Sequence, residues 1–167
     1  MNKEKILKDL IEFKTVSETE NNSLVNYIVK YLNDFGIESS VLYGTDNQSN
    51  LYARVGPDRD GGILFSGHTD VVPVEGQNWS FNPFTATESN GKIYGRGSAD
   101  MKGFLAVVLS LIPEMKKKTL KKPIHIFFSY DEEIGCVGIR KAIPFIQKMK
   151  KKPKYCIVGE PTNMQLV

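Results

Sequence analysis

Cysteine is scarce in this 167-residue chain, with Cys136 and Cys156 the only two. Two thiols cannot staple a disulfide scaffold, and their separation offers no CxxC metal knuckle. Both read as small packing residues, and a reducing, cytoplasmic setting is the expectation that follows. Long apolar runs are lacking too. The longest, Phe104 to Ile112, is interrupted by Ser110, whereas a membrane span needs about 20 consecutive apolar residues. The opening segment MNKEKILKDLIEF is charged and amphipathic, unlike the uninterrupted apolar stretch of a secretory signal. No sign of charge dominates, since the net charge is only +3. The lysines do bunch, at 116–118, at Lys121–Lys122 and within 148–154, on expected helix ends and turns. They have no aromatic residues among them, so they read as a solvated surface and not as a nucleic-acid face. What the chain does have is core: 41% hydrophobic against 25% charged residues suffices for one domain.

Periodicity predicts an amphipathic helix over 2–13 through Ile6, Leu7, Leu10 and Ile11. A second is expected over about 20–35, with Leu24, Ile28, Tyr31, Leu32 and Phe35 on one face and Gly36 as its C-cap. Strands are expected at about 37–43, 50–55 and 62–67. The segment 72–91 is rich in Pro, Gly and Asn, holds the only tryptophan, Trp79, and reads as one long loop. After Gly103 the run FLAVVLSLIPEM reads as a buried helix, followed by a strand at 124–130, a helix near 137–149 and a strand at 155–159. This alternation implies an α/β fold with a mainly parallel sheet flanked by helices. No internal repeat or low-complexity tract is present.

Three of these strands run out into ionisable residues. GGILFSGHTD (61–70) ends in His68 and Asp70, PIHIFFSYDEE (123–133) in Asp131, Glu132 and Glu133, and KYCIVGE (154–160) in Glu160. Open α/β sheets bind ligands outside the carboxyl ends of their strands, so a hydrolytic metal centre is the reading. His68 and Asp70 stand two apart and share a side of an extended segment, where Asp70 could hold the second ring nitrogen. A turn aspartate beside a capped histidine is the plainer alternative. Asp100, in GRGSADMKG (95–103), could equally be the N-cap of a helix starting at Met101. Gly95 and Gly97 begin a G-x-G-x-x-G pattern, but Asp100 occupies the third glycine position and would repel a pyrophosphate. Glu132 and Glu133 could divide the labour beside a metal, one ligating and the other moving a proton. The Gly-Glu-Pro turn sets the direction of Glu160. His125 reads as a strand histidine facing a helix, and Trp79, Phe81 and Phe84 as packing of the long loop.

Taken together, GHTDVVP (67–73), GRGSADMKG (95–103), SYDEEIGCVG (129–138) and VGEPT (158–162) resemble one motif set. It is that of the two-metal metallohydrolases, the family of acetylornithine deacetylase, succinyl-diaminopimelate desuccinylase, aminoacylases and related peptidases. The resemblance spans nearly the whole chain in the family's order and spacing, and SADMKGF and SYDEEIGC are most similar to the acetylornithine deacetylase branch. It implies that His68 and Glu160 bind one metal, that Asp100 bridges two, and that Glu133 binds the second. Glu132 resembles the general base and Asp70 the residue that orients His68. A cis peptide at Asp100–Met101 is implied as well. The implied chemistry is hydrolysis of an amide by a metal-activated water, with Glu132 passing its proton to the leaving amine.

The resemblance also implies two Zn2+ (or Co2+) ions per complete active site and a small N-acyl amino acid as substrate, N2-acetylornithine by preference. Nucleic acid and membrane are not implied as partners, and the full-length protein is expected to be a homodimer. Desuccinylase or dipeptidase activity is the alternative within the family, and a non-catalytic metal-binding module the alternative outside it. The family's second metal takes a further histidine from far downstream, and a lid or dimerisation domain adds substrate contacts. Residues 1–167 therefore read as the N-terminal portion of the catalytic domain, expected to be inactive in isolation.

Overall fold

The computed structural model describes residues 2–163 and 165. Helix α1 (Lys3–Glu12) starts where the Asn2 side chain accepts the Lys5 N–H at 2.9 Å and buries Ile6, Leu10 and Ile11. Helix α2 (Asn22–Asp34) buries Leu24, Val25, Ile28, Tyr31 and Leu32, the three-to-four spacing read from the sequence. Its expected glycine stop is present. Gly36 is left-handed (φ 63°) and donates to Asn33 O, while Ile37 N–H closes onto Leu32 O at 3.0 Å, the paired bonds of a Schellman cap.

Five strands form one mixed sheet: β1 (Ser39–Tyr43), β2 (Ser49–Val55), β3 (Ile63–His68), a strand over Ile124–Ser129 and one over Tyr155–Val158. Between the third and fourth lies a separate hairpin of β4 (Thr87–Ser89) and β5 (Lys92–Tyr94), so the last two sheet strands are β6 and β7. The order is β1-β2-β6-β3-β7. β3 pairs in parallel with β6 on one side and β7 on the other, and the hairpin β1–β2 adds antiparallel ladders beyond β6. The parallel part is thus the three-stranded core that carries the site, and the antiparallel edge follows from the short β1–β2 connection.

The chain crosses from β3 to β6 on one side and then from β6 back past β3 to β7 on the other, a reversal of direction of the kind at which α/β sheets bind ligands. Leu51, Ala53, Val55, Ile126 and Phe128 join the core made with α1, α2, α3 (Lys102–Ser110) and α4 (Ile112–Lys117). On the other face Tyr52 meets Phe145 of α5 (Val137–Lys148), with ring centroids 5.4 Å apart.

Two expectations need correction. The run after Gly103 is two helices, because Pro113 at the start of α4 has no N–H to continue the ladder of α3. The segment 72–91 is a loop only in part: Asn90 and Gly91, both at positive φ (51° and 70°), turn the β4–β5 hairpin. Asn-Gly is a hairpin signal that was legible in the sequence. The lysines of 116–118 and Lys121–Lys122 are exposed, as expected. No helix among the described residues is long and apolar enough to cross a membrane.

Candidate metal centre

The parallel register brings the strand ends together. His68 pairs with Ser129 and Ser66 with Val158, so residues 68–70, 130–133 and 159–160 leave the sheet side by side. Thr69 anchors the first exit by donating both its N–H (2.8 Å) and its hydroxyl (2.9 Å) to Ser129 O. Gly67 and Gly159 precede His68 and Glu160 on neighbouring strands, and both face the apolar side chains of α3. A Cβ on Gly159 would fall closer than 3.0 Å to Cγ, Cδ1 and Cδ2 of Phe104, so the end of β7 reaches the centre only as glycine.

His68 lies at the base of the cluster, 1% exposed. Its Nδ1 faces the Asp70 carbonyl at 2.9 Å and Asp70 Oδ1 at 3.4 Å. A carbonyl only accepts, so Nδ1 carries a proton, and Nε2 is the nitrogen that faces the cluster. Around Nε2 stand Asp100 Oδ1 at 3.2 Å, Glu160 Oε1 at 3.8 Å and Glu132 Oε2 at 3.9 Å. Burial by itself would lower the ring's pKa, but the Asp70 hydrogen bond and the charges of Asp70 and Glu160 push it up to about 9.

Asp70 is the hub beneath. Its Oδ1 accepts the Glu132 N–H at 3.0 Å, and its Oδ2 accepts the Glu133 N–H at 3.3 Å and the Ser17 hydroxyl at 2.8 Å. Burial would raise its pKa, yet His68 and these donors hold it below the usual carboxylate value. Glu133 and Glu160 are raised instead, first by burial and then by neighbouring carboxylates, Asp100 among them. Carboxylates crowded in this way favour a cation among them.

Asp100 is not a helix cap. Helix α3 begins at Lys102, Met101 takes the cap position without a side-chain bond, and the Asp100 carboxylate turns to His68. The Asp100–Met101 peptide is cis, as the resemblance implied. Asp131 belongs elsewhere: it is buried at φ 48° and accepts the Glu18 N–H (2.8 Å) and Gln48 Nε2 (2.9 Å). His125 is also structural, bonded to the Tyr52 hydroxyl at 2.7 Å and Gly61 O at 3.1 Å. Trp79 stacks on the guanidinium of Arg96, 5.0 Å from ring to Cζ.

Among the described residues, two groups have ligand atoms mutually within 4.8 Å: His68, Glu132 and Glu160, and His68, Asp100 and Glu133. All five donors therefore share one locus, although this grouping differs from the partition that the resemblance implies. Asp100, Glu132 and Glu160 converge on His68 Nε2, their shared ion-pair partner. One imidazole with several carboxylate oxygens and no thiolate donor suits Zn, Co or Mn, so the residues fit the implied ions.

Several contributors were not singled out in the sequence. Thr69, Ser17 and Gln48 act across 53 to 83 positions, beyond any local pattern. Cys136, read as packing, is left-handed at φ 58° and its thiol donates to Glu132 Oε1 at 3.4 Å. Lys102 is fully buried, donates to Phe13 O at 2.7 Å and has its pKa pushed down to about 7 by burial.

The acetylornithine deacetylase of Shigella sonnei (strain Ss046) is 38% identical over 170 residues, which is 97% of this chain and 43% of that protein. The chain thus spans less than half the length of the curated relatives it matches. Among solved structures, the M20 family metallo-carboxypeptidase Sso-CP2 of Sulfolobus solfataricus superposes with a TM-score of 0.82 at 25% identity, covering 95% of this chain and 37% of its own. Human carnosine dipeptidase 1 shares the fold, with a TM-score of 0.80 at 20% identity over 93% of this chain and 38% of its own. The model of peptidase family M20/M25/M40 matches residues 64–167, which take in all four motifs, and the chain belongs to that family.

Proposed function

We propose that this chain is the front part of the catalytic domain of a metal-dependent amidohydrolase that removes the acyl group from an N-acyl amino acid, N2-acetylornithine by preference. The observation that carries the reading is the convergence of Asp100, Glu132, Glu133 and Glu160 around the buried ring of His68 at the carboxyl edge of the parallel strands. The 38% identity to an acetylornithine deacetylase supports the substrate.

His68, Asp100 and Glu160 would hold one ion, and Asp100 with Glu133 a second, zinc or cobalt in each case. A bound ion supplies Lewis-acid polarisation of the amide carbonyl and lowers the pKa of water towards about 7. Glu132 takes the proton from the attacking water as its oxygen bonds to the acyl carbon. It then returns a proton to the departing amine as the C–N bond breaks. Asp70 fixes the His68 tautomer so that Nε2 faces the ligands, and it holds the backbone of Glu132 and Glu133.

The test uses the protein expressed from its complete reading frame. Glu132→Gln should cut turnover of N-acetylornithine by about 10²–10⁴-fold while zinc content stays near normal. Retained turnover removes the base assignment. Marked preference for N-succinyl-diaminopimelate or simple dipeptides replaces the substrate with that of a desuccinylase or dipeptidase. A metal-binding module without catalysis would have no use for Glu132 beside its ligands, and wild-type protein that binds zinc but turns over none of these substrates favours that reading.

A further inference from the structure

The segment between α1 and α2 contributes no donor to the cluster, yet it touches the exits of both central strands. Val16 bridges Val71 in parallel, closed by Ser17 N–H to Val71 O (3.1 Å) and Val71 N–H to Thr15 O (2.9 Å). The Thr15 hydroxyl donates to Thr69 O at 2.6 Å, and Asn21 Nδ2 donates to Thr69 Oγ1 at 2.9 Å. Glu18, at φ 65°, donates its N–H to Asp131 Oδ1, just ahead of Glu132. Thr15, Ser17, Asn21, Thr69, Asp70 and Asp131 are all buried.

One bond in this strap differs in kind. The Thr15 and Asn21 bonds hold the backbone and side chain of Thr69, but Ser17 Oγ donates to Asp70 Oδ2, the oxygen that also accepts the Glu133 N–H. A carboxylate rotates about a broad two-fold torsion, and its orientation follows from its hydrogen-bond partners. Two of the Asp70 partners are the N–H groups of the residues that present Glu132 and Glu133, and a third is the ring of His68. With Ser17 in place, one orientation satisfies every donor at once.

We infer that Ser17 is a positioning residue of the metal centre. Its hydroxyl sets the Asp70 carboxylate, and through it the His68 ring and the Glu132–Glu133 turn. The inference rests on the metal-centre reading above. Groups that hold metal ligands in this indirect way change affinity by about 10–100-fold when removed.

The experiment is a zinc competition titration of the complete protein as wild type, Ser17→Ala, Ser17→Thr and Thr15→Val, paired with the visible absorption spectrum of each after loading with Co2+. Ser17→Ala should weaken zinc binding by about 10-fold or more and shift the cobalt bands, which report ligand geometry. Ser17→Thr keeps the hydroxyl and should bind within about threefold of wild type with unshifted bands. Thr15→Val removes an equally buried hydroxyl that bonds backbone alone, so it should lower thermal stability and leave the cobalt spectrum unchanged. Equal zinc loss and equal band shifts in Ser17→Ala and Thr15→Val overturn the inference, because the strap would then act only through stability. So does a folded Ser17→Thr that loses 10-fold, which decides the matter even where Ser17→Ala fails to fold. Wild-type protein that binds no zinc overturns the metal-centre reading and this inference together. Zinc binding by wild type with an unaffected Ser17→Ala overturns this inference alone.

Discussion

Substituting Gly159 by alanine tests how the carboxyl end of β7 is brought to the centre. Gly159 continues the ladder through its N–H to Ser66 O at 3.2 Å, and Glu160 follows it into the cluster. An alanine methyl would lie under 3.0 Å from Cγ, Cδ1 and Cδ2 of Phe104, where carbon atoms prefer about 3.5–4.0 Å. Because Cγ is the root of the ring, spinning the ring does not relieve the clash. Phe104 must change χ1, or the end of β7 must move outward. Phe104 also packs edge-on against Phe65, with centroids 6.3 Å apart, so a χ1 change disturbs a second contact. Overpacking of this kind costs about 1–3 kcal/mol. For a domain of this size that is roughly 2–12 °C in Tm. If β7 yields, Glu160 withdraws from His68 and zinc affinity falls as well. The assays are thermal unfolding without metal and a zinc titration, on Gly159→Ala, Phe104→Ala and the double variant. Phe104→Ala removes Cγ, so Gly159→Ala should cost at least about 1 kcal/mol less in that background than in wild type, the coupling expected of sites in contact. Additive effects, or an unchanged Tm in Gly159→Ala, would refute the steric argument.

Further outcomes follow from single residues. His68→Ala removes the one nitrogen donor of both groups and should abolish most zinc binding by titration; unchanged binding would displace His68 from the centre. Asp131→Ala orphans the Glu18 N–H and leaves Gln48 Nε2 with only its bond to Thr19 O, costing about 1–3 kcal/mol in urea unfolding. Asp131→Asn keeps one acceptor and tolerates positive φ, so it should cost less than half as much. Burial holds the pKa of His125 below its ordinary value, with the Tyr52 hydroxyl on Nδ1, Gly61 O on Nε2, and Arg54 and Asp60 as the nearby charges. Both states are neutral at this ring above about pH 6.5; below that the unfolded chain takes up a proton before the folded one does, so stability falls with pH by up to about 1.4 kcal/mol per unit. The stability difference between wild type and His125→Gln should therefore shrink from pH 7 to pH 5 in urea unfolding, and a constant difference would count against the assignment.

The sequence by itself determined the strands that carry the candidate donors and marked those donors. A strand that ends in a charged residue is a local pattern, and His68, Asp70, Glu132, Glu133 and Glu160 each sit within a few residues of an apolar run whose end they mark. The Gly36 stop and the α2 face were legible for the same reason: capping and periodicity are short-range. The hairpin turn at Asn90–Gly91 is equally local, an Asn-Gly pair inside a segment otherwise rich in loop residues.

Only the tertiary structure decided which strand lies beside which. The order β1-β2-β6-β3-β7 places β3 between β6 and β7, and that adjacency turns three separate strand ends into one cluster. It also separated Asp131 from its neighbours Glu132 and Glu133, because a left-handed backbone at Asp131 sends its carboxylate to Glu18 and Gln48. The support of Asp70 by Ser17 spans 53 positions and the bond from Thr69 to Ser129 spans 60, distances over which no sequence periodicity exists. Such contacts arise from sheet register and chain crossing, which the packing of the whole domain selects and no single segment encodes.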